Sequence, residues 1–206
     1  MRMAIPIELV VDVSGTPGNT THFGMVSFNR HTKDSILNDF FAHHPNLRRT
    51  KGRSLTLQDC LKVIDALNQN DVRMVSMRFT ANDWSYHRNQ WRGRHEIDER
   101  ICGAIYYNMA RVVCRSNCRY DLTSCVESQL GDIKRIFHHC KRLAALRNIE
   151  FEFYQSTDSM NRSIRIADFI AYSGKVVRSL DVGPFKHYKI LTAPSTLERN
   201  MRFLFS

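Results

Sequence analysis

At 206 residues and 43% hydrophobic content, the chain is long enough for one compact domain with a sizeable core, or one domain with an insertion. No apolar run approaches the ~20 residues of a membrane span. Thirty Lys and Arg against 20 Asp and Glu give a net charge of +10. That balance favours a polyanionic partner, nucleic acid (RNA or DNA) above all, over a membrane surface, which would more often be met by a basic amphipathic helix. Six cysteines do not make a disulfide framework in a chain this long, and no signal peptide is evident, so a reduced, cytoplasmic location is expected.

In chain order, Ile7 to Val13 is an almost unbroken β-branched and aliphatic run. It suits a central strand covered on both faces, ended by the Ser14-Gly15-Thr16-Pro17-Gly18 turn. His22 to Phe28 predicts a second strand paired with the first as a hairpin. A helical insertion occupies about 31–70: a short helix from Lys33 to Phe41, a break at His43-His44-Pro45-Asn46, a basic loop from Arg48 to Ser54, then a helix carrying Leu57, Leu61, Ile64 and Leu67 at helical spacing. Arg73 to Phe79 alternates as a third strand. Asn82 to His95 reads as an irregular loop. A helix from Glu96 to Val113, a strand from Arg119 to Val126, an amphipathic helix from Gln129 to Leu146, a fifth strand at Phe151 to Tyr154 and a helix from Ser163 to Arg178 complete the alternation. The segment 183–206 resists assignment. This order predicts an α/β fold with a mixed five-stranded sheet and helices on both faces, in a single domain over 1–206.

Asp12 closes the first strand, where a buried, unpaired carboxylate is costly and must be neutralised, hydrogen-bonded or bound to a cation. Glu127 follows the fourth strand. If strands one and four are parallel neighbours, both acids emerge at one sheet edge. Asp168 shares a partly apolar helix face with Ile164, Arg165, Ala171 and Tyr172, and the small Ala167 and Ala171 let that helix approach the sheet closely. Three carboxylates converging from separate elements suit one or two Mg²⁺ or Mn²⁺ ions, with a basic surface to hold a nucleic-acid backbone. The competing reading is three unrelated acids: a turn cap, a strand-end residue, and an Asp paired with Arg165 or Arg162.

At Asp12 to Gly18, Lys51-Gly52-Arg53-Ser54-Leu55 and Ile164 to Tyr172, the chain resembles the prokaryotic family called domain of unknown function 3800. The resemblance implies a ribonuclease H-like fold and a metal-dependent nuclease, with Asp12 matching the first family acid and Asp168 the last. Asp121 or Asp132 are alternatives to Glu127. Val13 stands where the family usually has Glu, and Arg49-Thr50 where an acid is common. Glu96 or Glu99 are candidates to supply the missing carboxylate. These departures leave a second expectation beside the nuclease: a catalytically degenerate nucleic-acid-binding or partner protein on the same fold.

The substrate contacts expected from the residues are Lys51 and Arg53 on phosphate, and Trp84 and Trp91 (with Tyr86) stacking bases among Arg88, Arg92 and Arg94. Alternatively that stretch is a solvated loop with one Trp in the core. Cys114, Cys118, Cys125 and His138-His139-Cys140 lack zinc-finger or ribbon spacing and read as buried thiols.

Overall fold

The computed structural model describes residues 7–114, 119–125, 130–157, 159–177, 183–192 and 195–206. Three strands in succession, β1 (Ile7–Ser14), β2 (Thr21–Asn29) and β3 (Arg73–Phe79), pair antiparallel. On the other side of β1 lie β4 (Arg119–Cys125) and then β5 (Glu150–Ser156), both parallel to it. The mixed, helix-flanked sheet expected of a ribonuclease H-like fold is therefore present, with one correction. A sixth strand, β6 (Tyr188–Leu191), pairs parallel to β3, so the order is β5-β4-β1-β2-β3-β6. Four residues are too few to show a strand period against a background of turns, which is why β6 is missed from its residues alone; the same segment also holds a helix at Ser195–Phe205.

Between β2 and β3 lie α1 (Lys33–His43), two 3₁₀ turns at Pro45–Arg48 and Gly52–Ser54, and α2 (Leu57–Gln69). Thr56 and Asp59 cap α2 reciprocally, each side chain accepting the other's backbone N–H. Its buried stripe is Cys60, Val63, Ile64 and Leu67, while Leu57 is exposed. The expected Leu57–Leu61 edge is thus rotated outward. Beyond β3 come α3 (Ala81–Gln90), α4 (Ile97–Val113), α5 (Ile133–Ala145), α6 (Arg162–Val176) and α7 (Ser195–Phe205).

Two cores sandwich the sheet, and strand alternation sorts residues between them. Leu9, Val11, Phe23, Met25 and Met77 face α4, α5 and α7. Val10, Val26, Phe28 and Met74 face α1, α2 and α6. Each fully buried aliphatic or aromatic side chain contributes about 1.5–3 kcal/mol, so the β1 run from Leu9 to Val11 anchors both layers at once. Among the described residues no helix is long and apolar enough to cross a membrane.

Candidate functional site

Alternation along β1 puts Glu8, Val10 and Asp12 on the α6 side of the sheet. Asp12 pairs in register with Gly24 of β2. A Cβ on Gly24 would lie 2.2 Å from the Ala171 nitrogen and 2.3 Å from the Ala167 carbonyl oxygen, so the α6 backbone rests directly on the sheet beside Asp12. Asp168, one residue beyond Ala167, is thereby carried to Asp12. The two carboxylates repel: burial first, then the Asp168 charge, push the Asp12 carboxyl up from 3.8 to about 7. Opposing this are a hydrogen bond donated by the Val13 N–H, one donated by the Cys125 thiol, and the Lys51 ammonium.

Asp168 is oriented from the segment between β2 and β3. The Gly52 N–H donates to Asp168 Oδ2 at 2.6 Å. A side chain at Gly52 would lie 2.7 Å from Asp168 Oδ1 and from its carbonyl oxygen, so close approach requires glycine here. The 3₁₀ turn that presents Gly52 also brings Lys51 within electrostatic reach of Asp12 and leaves Arg53 exposed. Gly52 is thus a site residue that a search by residue type overlooks; its signal is its place between the two cations of Lys51-Gly52-Arg53.

The other expected acids fall in different places. Glu127 lies outside the described residues. Asp121 pairs with Arg30 near the start of β4, level with Glu8 rather than Asp12. Asp132 caps α5 and faces Arg135 at 3.3 Å. Glu96 accepts from His139 at 2.9 Å and Arg135 at 3.1 Å. Glu99 lies against Gly131, in a cleft of about 590 Å³ on the α4 side that Arg92 and Arg94 also line. Of the thiols, Cys60, Cys102, Cys125 and Cys140 are buried and Cys114 half-buried, while Cys118 lies outside the described residues.

The segment expected to be an irregular stacking loop is corrected by the structure. Thr80 and Asp83 form a capping box that starts α3, a signal present in the sequence but masked by the absence of a clean apolar face. Trp84 is wholly buried, its Nε1 donating to Thr21 Oγ1 at 3.1 Å and its ring edge-on to Phe79. A ring in the core offers no face to a base. Trp91 stacks on Phe205 with centroids 4.6 Å apart. Arg88 forks onto Asp98 at 2.8 and 2.6 Å and lies over Trp84, tying α3 to the start of α4. Arg92 and Arg94 are exposed and remain open to an anionic partner.

Chemically, Asp12 and Asp168 offer hard oxygen donors whose mutual repulsion a divalent cation would relieve, which fits Mg²⁺ or Mn²⁺. Among the described residues no group of three or more His, Cys, Asp or Glu is arranged to hold a metal ion, so those donors amount to two carboxylates with a thiol beside them.

No family model matches the chain, and no curated protein matches it. Among solved structures, it is similar to a chain of the PCNA:RNase HII complex from Archaeoglobus fulgidus, with a TM-score of 0.49 and 14% identity over 97% of this chain and 88% of that one.

Proposed function

We propose that this chain is a divalent-metal-dependent nuclease, a divergent member of the domain of unknown function 3800 family, hydrolysing phosphodiester bonds of nucleic acid. One observation carries the reading: Asp12 and Asp168, from the first strand and the sixth helix, meet beside Lys51 on a chain of net charge +10. Asp12, Asp168 and, by its place in the sequence, Glu127 are the residues that would hold Mg²⁺ or Mn²⁺. When bound, the ion supplies charge neutralisation at the scissile phosphate and a lowered pKa for attacking water. The protein's part is positional. Gly52 fixes the Asp168 carboxylate through its Oδ2, Lys51 balances the acid pair and meets the substrate backbone, and Arg53 extends that cationic edge.

A second reading has its own support. The position after Asp12 is Val13, packed into the α4-side core, and the group hydrogen-bonded to Asp12 from β4 is a thiol. Both suit a nucleic-acid-binding protein whose catalytic centre has degenerated. Incubating single- and double-stranded RNA, DNA and hybrid with Mg²⁺ or Mn²⁺ separates the two. The nuclease reading expects cleavage that falls to background in Asp12→Asn, in Asp168→Asn and with chelator. Cleavage that survives both substitutions sinks it. Binding without cleavage, weakening steeply with salt, establishes the second reading.

A further inference from the structure

On the same sheet face as Asp12, α6 packs across β1, β2 and β3. The β4–β5 part of that face carries a polar cleft of about 470 Å³, bounded by β1, the β2–α1 corner and the start of α6. Such a volume is that of a small-ligand site. On its wall is Glu8, 7% exposed, which takes a hydrogen bond from Lys33 Nζ at 2.7 Å on Oε2. Among the described residues its Oε1 accepts long bonds, from Thr123 at 3.2 Å and from Asn161 at 3.5 Å, the limit of such an interaction. A carboxylate has room for about four donors; with Lys33 on Oε2, Thr123 on Oε1 and the Asn161 contact at the limit of a bond, about one place remains on each oxygen.

The rim has a different chemistry. Tyr154 lines it with 45% of its surface exposed, its hydroxyl anchored on Glu152 Oε2 at 2.8 Å. Met160, next to the cleft-lining Asn161, is 83% exposed. These are two of the large apolar side chains exposed among the described residues, and Tyr154 lines the cleft itself. Arg30 also lines the cleft, its guanidinium on Asp121. A half-exposed aromatic ring, a carboxylate on the wall and a cation in the lining together match an unpaired nucleobase with its phosphate. Guanine is the base whose Watson–Crick edge sets two adjacent N–H donors side by side, as a carboxylate accepts them. Adenine, cytosine and uracil each place a single donor group on that edge.

We propose that this cleft is a base-recognition subsite that holds one unpaired guanine of a single-stranded nucleic acid, stacked on Tyr154 and read by Glu8. The assignment rests on the reading that the chain acts on nucleic acid, and it gives that reading a substrate class. Glu8 and Asp12 are four residues apart on one strand, about 13 Å at ~3.3 Å per residue, so one continuous strand spans both.

The test is fluorescence anisotropy in chelator, where cleavage plays no part, with labelled eight-nucleotide oligouridine and the same strand bearing one central guanosine, each as RNA and as DNA. The wild type is expected to bind the guanosine strand about tenfold more tightly, and Tyr154→Ala to lose about tenfold on that strand. Glu8→Gln is expected to bring the two strands within twofold of each other. Equal affinity of the wild type for both strands, or unchanged affinity in Tyr154→Ala, overturns the subsite. Because Tyr154 is exposed, its truncation leaves the fold intact. A negative result here leaves the metal-dependent cleavage assay of Asp12→Asn standing, so the two readings fail separately.

Discussion

Glu8 and Asp12 are carboxylates on the same face of the same strand, and the structure treats them in opposite ways. Glu8 is met by the Lys33 ammonium at 2.7 Å, with Thr123 and Asn161 behind it. At Asp12, burial first and then the charge of another acid, Asp168, push the carboxyl up to about 7. Burial is common to both and therefore does not mark function. What distinguishes them is which charge dominates: Lys33 bonds Glu8 directly, whereas at Asp12 the Asp168 charge outweighs the Lys51 ammonium and leaves a strain that a cation would relieve.

The largest effect expected from breaking this contrast is at the satisfied end. Lys33→Met strands the Glu8 charge and should lower stability by about 3 kcal/mol, read by urea denaturation. Lys33→Met with Glu8→Leu should recover most of that loss, because no charge is then left unpartnered. A single-variant loss below about 0.5 kcal/mol would show the pair to be screened like a surface bridge and would dissolve the contrast.

Next is the contact that creates the strained end. Gly24→Ala places a methyl where the Ala167 and Ala171 backbones lie, so α6 must move off the sheet. A cost of about 1–3 kcal/mol is expected, together with loss of any Mg²⁺-induced rise in melting temperature, since Asp168 leaves with the helix. Retention of that rise would show that close helix–sheet approach does not assemble the site.

The smallest effect is the sharpest in sign. Because the folded Asp12 carboxyl sits near pKa 7, above its ordinary 3.8, the folded state holds this proton more tightly than the unfolded chain does. That contribution is fully present below about pH 4 and is lost as pH rises through about 7. In chelator, Asp12→Asn should melt several degrees above wild type at pH 8, ~1 kcal/mol being worth about 2–4 °C in a chain of this size. The gap should narrow by pH 5. An Asp12→Asn protein that is less stable than wild type at pH 8 would mean that the ionised Asp12 is well compensated.

Much of this was legible in the residues. The β1 run, the early hairpin and the strand–helix alternation each follow from local periodicity, and Ala167 and Ala171 announced a helix that presses close to its sheet. Asp12 and Asp168 could be singled out because a carboxylate amid apolar neighbours is conspicuous in sequence alone. Tertiary structure decided the rest, for a common reason: partners supplied by distant segments leave no trace in local order. Trp84 and Arg88 looked like a stacking loop until Thr21 and Asp98 claimed them. Gly52 looked like a loop glycine until Asp168 was found against it. Glu8, an acid at the start of a strand, became part of a cleft wall because α1, β4 and the N-cap of α6 all reach it. Sequence thus determined which residues were out of place in their surroundings, and folding determined which of them found a partner.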